Sequence, residues 1–239
     1  MFLLGTIFNV LLIIGGGLVG LFCARLIKPH MQESMTKAMG LCVMFVGMGG
    51  TMEKMLSVQD GMLSSGGMMM MVASFAAGTL IGEGLDLEQL IERFGGWIRL
   101  KTGNTGDHSF IDAFVTASLT VCIGAMAVVG AIQDGIYGDY STLLLKGVLD
   151  AIIVCVMTAS MGKGCIFAAI PVGLFQGLIT VCARFLQPFM TEEALSNLSL
   201  TGSMLIFCVG INLIWEKKMK VANMLPAIVA AVVIGNIAV

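Results

Sequence analysis

Runs of apolar residues about twenty long, separated by short polar connections, recur from one end of this chain to the other. At helical rise each run matches the roughly 30 Å of hydrocarbon in a bilayer. In lipid a chain must satisfy its own backbone, so a repeated pattern of this length admits helices that cross a membrane and little else. Composition removes the alternative of a water-soluble bundle. Of 239 residues, 57% are hydrophobic and 12% charged, about half the charged share of a soluble domain. Mean hydropathy is +0.97. So few charges cannot cover the surface of a soluble fold of this size. The 31 glycines suit membrane helices, whose backbones approach closely at small residues.

Eight spans are expected: residues 2–24, 38–52, 61–82, 113–133, 142–161, 164–183, 200–215 and 221–239. The first reads as a membrane helix rather than a cleaved signal, because no basic region opens it. The second and seventh are short, so they either recruit flanking polar residues or fail to cross. Pro171 in the sixth and Pro226 in the eighth are places for a kink or break. Ten of the 13 Lys and Arg residues lie in odd-numbered connections: Arg25, Lys28, Lys37, Arg93, Arg99, Lys101, Lys163, Lys217, Lys218 and Lys220. The positive-inside rule puts those connections in the cytoplasm and both termini outside; a count of seven spans would bring the C-terminus inside. Residues 86–101 carry Leu87, Leu90, Ile91, Phe94 and Ile98 at helical spacing, with charges on the other sides. This reads as one cytoplasmic interfacial helix with Trp97 at headgroup level. Thr102-Gly103-Asn104-Thr105-Gly106 follows as a joint.

The chain also repeats itself. Cys23-Ala24-Arg25-Leu26-Ile27-Lys28-Pro29-His30-Met31 matches Cys182-Ala183-Arg184-Phe185-Leu186-Gln187-Pro188-Phe189-Met190 at Cys, Ala, Arg, Pro and Met. About twenty residues later Val46-Gly47 and Glu53-Lys54 align with Val209-Gly210 and Glu216-Lys217. Apolar composition alone would return Leu, Val and Ala, not Arg and Pro. Helices 1–3 therefore resemble helices 6–8. Five spans separate their starts, and an odd number reverses direction, so the copies form an inverted repeat, a hallmark of secondary transporters. The expected architecture is an all-α membrane protein, a single transmembrane domain over 1–239. Repeat 1 covers about 1–83, the interfacial helix 86–101, the central helices about 113–161, and repeat 2 about 164–239.

Charge inside hydrocarbon costs about 2.5–3.5 kcal/mol per group on insertion scales, so each instance needs a reason. Lys146 and Asp150 are four apart on one face of the fifth span. Asp150 is the first candidate to bind a cation or proton, with Lys146 as its counter-charge; a neutralised structural pair is the rival reading. Asn9 and Gln176 lie within the first and sixth spans, and Asn212, Asn223 and Asn236 in or at the ends of the last two. Amides bind polar solutes, and they also join helices. Pro171, Gly173 and Gly177 around Gln176 suggest an opened helix, and Gly15-Gly16-Gly17 sits at the matching place in the first copy; the rival reading of Gly16-x-x-x-Gly20, as of Gly78-x-x-x-Gly82, is plain close helix packing. Gln133 and Asp134 end the fourth span beside Gly138-Asp139-Tyr140, an acidic turn that either gathers cations or is simply solvated.

Several classes drop out. No H-E-x-x-H, G-x-S-x-G or P-loop occurs, and His30 and His108 lie outside the spans, so no catalytic residues are assigned and an enzyme is not expected. The seven cysteines form no C-x-x-C pair and read as packing residues, without metal or cofactor. Met68-Met69-Met70-Met71 points to all sides of a helix and reads as lipid contact. No basic stripe carries interleaved aromatics, so no nucleic acid is expected.

Taken in order, Gly5-Thr6-x-x-Asn9, Leu80-Ile81-Gly82-Glu83, Cys122-Ile123-Gly124-Ala125-Met126-Ala127, Gln133-Asp134-Gly135, Gly138-Asp139-Tyr140-Ser141, Lys146-x-x-x-Asp150 and Val221-Ala222-Asn223-Met224-Leu225-Pro226 resemble the DUF554 family of bacterial inner-membrane proteins. The resemblance covers essentially the whole chain. It implies a multi-pass protein of the bacterial plasma membrane, described as a transport protein of unassigned substrate, and it carries over no binding residues. The expected function is secondary transport of a small polar solute or ion by alternating access. A non-transporting membrane scaffold docking through residues 86–101, or an oligomeric channel, are the rivals. The expected partners are the lipid bilayer and that solute, and the small-residue stripes suit a homo-oligomer.

Overall fold

A computed structural model describes residues 3–24, 28–59, 61–103, 109–122, 125–215 and 219–237. Arg25, Asn104-Thr105-Gly106, His108 and Lys217-Lys218, all used above, lie outside the described residues. The chain is helical, in the order α1 (Leu4–Ala24), α2 (Pro29–Met55), β1 (Leu56–Gln59), β2 (Met62–Ser65), α3 (Met68–Leu85), α4 (Leu87–Lys101), α5 (Phe110–Cys122), α6 (Ala125–Tyr137), α7 (Ser141–Met161), α8 (Ala169–Leu186), α9 (Glu192–Trp215) and α10 (Pro226–Ile237). A 3₁₀ turn, Lys163–Ala168, leads into α8, and another, Val221–Met224, into α10. Among the described residues six helices are long and apolar enough to cross a membrane, and a bent α5–α6 pair would make a seventh.

Helix starts follow local chemistry. Pro29 and Pro226 each occupy the first position of a helix, where a missing N–H costs nothing and the fixed φ is already helical. Thr191 caps α9 by accepting the Ala194 N–H, ahead of Glu192 and Glu193 in the first turn, where acid favours the helix dipole. Asp139, one residue before the N-cap of α7, accepts the N–H of Ser141, its first residue. The two short apolar runs recruit their polar flanks: α2 reaches 27 residues and α9 24, each enough for a crossing.

Three expectations are corrected. The third span does not start at Gly61: Leu56–Gln59 pairs antiparallel with Met62–Ser65, Leu56 opposite Ser65 and Gln59 opposite Met62, so α3 starts at Met68. The Asp60-Gly61 dipeptide is a strong hairpin signal, and Gly61 adopts a positive φ of 77°. The fourth span is not straight; α5 and α6 meet at 63°. Neither Pro171 nor the glycines open a helix. Pro171 is the third residue of α8, where no N–H is needed, and α1 and α8 run unbroken through Gly15-Gly16-Gly17 and Gln176.

The chain forms two compact units. Unit 1 holds the described residues of 1–39, 89–122 and 126–186. Here α1 lies parallel to α7 at backbone contact: methyls at Gly16 and Gly20 would run into the carbonyls of Ala151 and Cys155. Against its other side α8 runs antiparallel, with Val10 at Gly173 and Gly17 at Ile166. Ile13, Val154, Met157, Val172, Ala117 and Val121 close an apolar core. Gly95 of α4 packs on Phe114, and Ile98 is buried, while Leu90, Trp97 and Leu100 of the same helix are exposed. The expected apolar stripe of this helix is thus divided between packing and an outward face.

Unit 2 holds the described residues of 40–88, 123–125 and 187–239. In it α3 and α10 cross antiparallel, Gly78 at Ala227 and Gly82 at the Asn223 carbonyl. Between α2 and α9 the contacts are reciprocal. A methyl at Gly47 would meet the Ser203 carbonyl at 2.6 Å and the Phe207 nitrogen at 2.5 Å. One at Gly210 would meet the Gly40 carbonyl at 2.8 Å and the Met44 nitrogen at 2.6 Å. Each partner in one set is 163 residues from its counterpart in the other. This local two-fold relation makes the helices antiparallel.

The outward faces are apolar: Ile7, Leu11, Leu18 and Phe22 of α1, and Leu174, Leu178, Val181 and Phe185 of α8, are exposed. Water would disfavour such faces, and lipid tails match them. This is a multi-pass membrane protein.

Candidate functional site

Asp150 is the tenth residue of the 21-residue α7, close to its midpoint. The Lys146 ammonium, one turn earlier, pairs with Asp150 Oδ2 and donates to the Val121 carbonyl at 2.7 Å. That carbonyl is in the last turn of α5, where it lacks an intrahelical partner and carries the negative end of the helix dipole. The ammonium therefore has two acceptors of opposite origin, one ionisable and one fixed. Both side chains are buried, Lys146 at 6% and Asp150 at 5% exposure. Neutralising each other removes most of the cost of burial.

α1 completes the site. Gly147 lets it approach so closely that a methyl there would lie 3.0 Å from Asn9 Cα. The Asn9 amide sits beside the Asp150 carboxylate and donates to Gln176 Oε1 of α8 at 3.1 Å. Both amides are fully buried. Asn9 Oδ1 and Gln176 Nε2 have no protein partner, so one acceptor next to the ion pair and one donor on the adjoining amide remain unused. Four of the residues expected from the sequence thus converge: Lys146, Asp150, Asn9 and Gln176.

Asp134 lies at the N-terminal end of α1, one turn before Asn9, and Gln133 lies beside the start of α7, one turn before Lys146. Asp134, 1% exposed, accepts the Gly5 N–H at 3.2 Å and so caps α1 across the fold. Gln133 accepts from the Thr142 hydroxyl at 2.7 Å, tying α6 to α7. The neighbouring Asp139 is exposed; the Ser141 hydroxyl and N–H hold its carboxyl below the usual carboxylate range. Toward the opposite end of α7 a cavity of about 400 Å³ is lined by Gln32, Thr36, Asp112, Thr158 and Ser160 among others. The apolar core around Val154 and Met157 occupies the intervening turns of α7, between Asp150 and Thr158.

Asn212 and Asn223 belong to unit 2 and make local joints there. Asn212 clasps Met219, donating to its carbonyl at 2.7 Å and accepting its N–H at 3.0 Å. Asn223 Oδ1 accepts the Glu88 N–H at 2.6 Å, and Glu88 Oε2 accepts the Ala222 N–H in return. Asn223 is fully buried, so Asn223→Ala strands an N–H at the start of α4. A loss of about 1–3 kcal/mol is expected, read as an earlier thermal unfolding midpoint in detergent. Asn236 donates to the Phe189 and Val232 carbonyls.

Sequence reasoning passed over Thr6 and Thr180. Both are buried with unpartnered hydroxyls. Thr6 is one turn from Asn9, and Thr180 one turn from Gln176. That spacing, polar on polar along an apolar helix, was the available signal.

Relatives match nearly the full length of this chain. A membrane protein of Bacillus subtilis (strain 168), named "Uncharacterized membrane protein YdfK", is 27% identical over 94% of this chain and 92% of its own. "Uncharacterized protein YqgA" of Escherichia coli (strain K12) is 25% identical over 95% and 94%. No solved structure matches. The model of the family described as "Protein of unknown function (DUF554)" matches residues 4–235, and the chain belongs to that family.

Proposed function

We propose that this chain is a secondary transporter that moves a small polar solute or ion across the plasma membrane by alternating access, with Lys146–Asp150 as its coupling pair. The observation that carries this reading is a buried ion pair at mid-length of an apolar helix, flanked by the Asn9 amide, which is bonded in turn to Gln176, both amides having unused bonding capacity. An ion pair kept for stability alone can be exchanged for apolar residues at little cost, and it calls for no orphan donor or acceptor beside it. A cation or proton reaching Asp150 loosens its hold on Lys146, and the ammonium then rests on the Val121 carbonyl. Two arrangements of one pair are the element an alternating machine requires.

Inverted repeats and eight crossings are part of the same reading. The three helix pairs α1/α8, α2/α9 and α3/α10 are each antiparallel, as copies inserted in opposite senses must be. The reciprocal contacts of Gly47 and Gly210 fall on the residues that the sequence repeat aligns. On this reading the six long apolar helices, the bent α5–α6 pair and the shorter apolar Val221–Ile237 stretch each make one passage. The parallel course of α1 and α7 fits their first and fifth places in that order. The scaffold reading has the exposed Leu90, Trp97 and Leu100 of α4 in its favour, but a membrane surface suits that face equally.

The test uses purified protein in liposomes, with currents recorded over a panel of small cations and polar solutes. Asp150→Asn is expected to lower the responding flux about a hundredfold or more, with Asn212→Ala close to the unmodified protein. A flux that Asp150→Asn leaves unaltered removes the coupling role.

A further inference from the structure

Five of the buried polar atoms without partners in unit 1 fall along one seam. On α1, Thr6 and Asn9 share a face, and on α8 so do Gln176 and Thr180. The last turn of α6 joins them: Gly135 packs so tightly on α8 that a methyl would run into the Thr180 carbonyl, and Asp134, the preceding residue, holds the Gly5 N–H next to Thr6. Thr6 Oγ1, Asn9 Oδ1, Asp134 Oδ1, Gln176 Nε2 and Thr180 Oγ1 all lack a protein partner. Their residues are between 0 and 5% exposed. An unmet buried donor or acceptor costs about 1–3 kcal/mol, and nature meets it with water. The seam begins within one turn of Gly138, whose N–H bonds the Asp134 carbonyl in an exposed connection, and it ends at Asp150.

We infer that water threads this seam and that the ion it delivers to the Lys146–Asp150 pair is a proton. The inference rests on the coupling role proposed above and names its ion. A metal cation at Asp150 would need several oxygens at 2.3–2.6 Å if it were calcium-like. The groups facing Asp150 do not offer them. From its own helix comes the Lys146 ammonium, from α5 the Cys122 thiol and the Val121 carbonyl already taken by Lys146, and from α1 the Asn9 amide. The ammonium occupies the place a cation would take and repels it. A proton needs one lone pair. Transferred from a neighbouring water to Asp150, it converts the carboxylate to a neutral acid and leaves the lysine charged. The hydroxide left behind is neutralised through the water file, with Asp134 at its mouth. The rate of access is then set by Thr180 and Gln176, which hold the waters.

Infrared spectroscopy of the full chain in lipid tests this without a known solute. A carboxylic-acid band that rises on acidification and is missing in Asp150→Asn reports Asp150 itself. After a switch to heavy water, the deuterium shift of that band reports access. Thr180→Val, nearly isosteric, and Gln176→Leu are each expected to slow the shift about tenfold, the factor for losing one water site worth about 1.4 kcal/mol. Ser160→Val, in the cavity at the other end, is expected to leave it unchanged. No band assignable to Asp150, or a shift slowed by Ser160→Val and untouched by Thr180→Val, overturns the route. The liposome flux of Asp150→Asn is a separate readout. If Asp150 exchanges along the seam and flux ignores it, coupling fails and the path stands; if flux needs Asp150 and exchange ignores the seam, the reverse holds.

Discussion

Asp150→Ala is expected to destabilise the protein by about 3–5 kcal/mol, because it leaves the Lys146 ammonium buried with only a backbone carbonyl. Lys146→Met alone should cost a similar amount, stranding a carboxylate beside Asn9. The double variant Lys146→Met/Asp150→Leu should recover most of the loss, since two well-packed apolar side chains replace two charges at little cost. Thermal unfolding of the four proteins in one detergent closes the cycle. The same double variant separates stability from function: it should fold like the parent and carry no coupled flux. A double variant that is stable and fully active would make the pair a dispensable packing feature. One as unstable as either single variant would mean that the burial of charge is not the governing term.

Gly47→Ala and Gly210→Ala are expected to weaken the protein to nearly equal extents, by about 1–3 kcal/mol or more each. In both cases the added methyl meets backbone, which cannot swing aside as a flexible side chain does. The double variant should lose clearly less than the sum. Once one methyl has pushed α2 off α9, the second finds room, and sites this close couple. Gly49, which has nothing within 4 Å of a Cβ position, provides the control: Gly49→Ala should be neutral or slightly stabilising, by the helix propensity of alanine. Unequal effects at Gly47 and Gly210 would undo the local two-fold relation between the two helices.

Much of the fold could be read from hydropathy, because a long apolar run in a membrane chain has a single structural outcome. Helix ends were less legible. α2 and α9 extend well beyond their apolar segments, since a helix propagates through Gln32, Glu33 and Thr36, or Glu192 and Glu193, as readily as through leucine. The hairpin was written in Asp60-Gly61, but an apolar window over Met62-Leu63 outweighed a local turn signal. The bend between α5 and α6 left only a glycine among small residues as its trace, a pattern also common in straight helices. Within the site, charge made Lys146 and Asp150 conspicuous. Asn9 and Gln176 were picked out as polar in apolar surroundings, but their contact depends on α1 and α8 crossing antiparallel, which spacing alone cannot supply. The glycines near them admit two readings from sequence, and the packing one holds. They serve close packing, Gly16 against Ala151, rather than an opened backbone. Thr6 and Thr180 escaped because threonine is ordinary in a membrane helix until its hydroxyl is found without a partner.

Transport by alternation stands on the two copies entering the membrane in opposite senses. His30 and Phe189 occupy equivalent places in the aligned segments, and both are exposed. In a variant freed of its seven cysteines, His30→Cys and Phe189→Cys can be labelled singly with a maleimide that does not cross lipid. In intact expressing cells Phe189→Cys should label at once and His30→Cys only after the membrane is opened. Labelling of both from the same side would contradict the account.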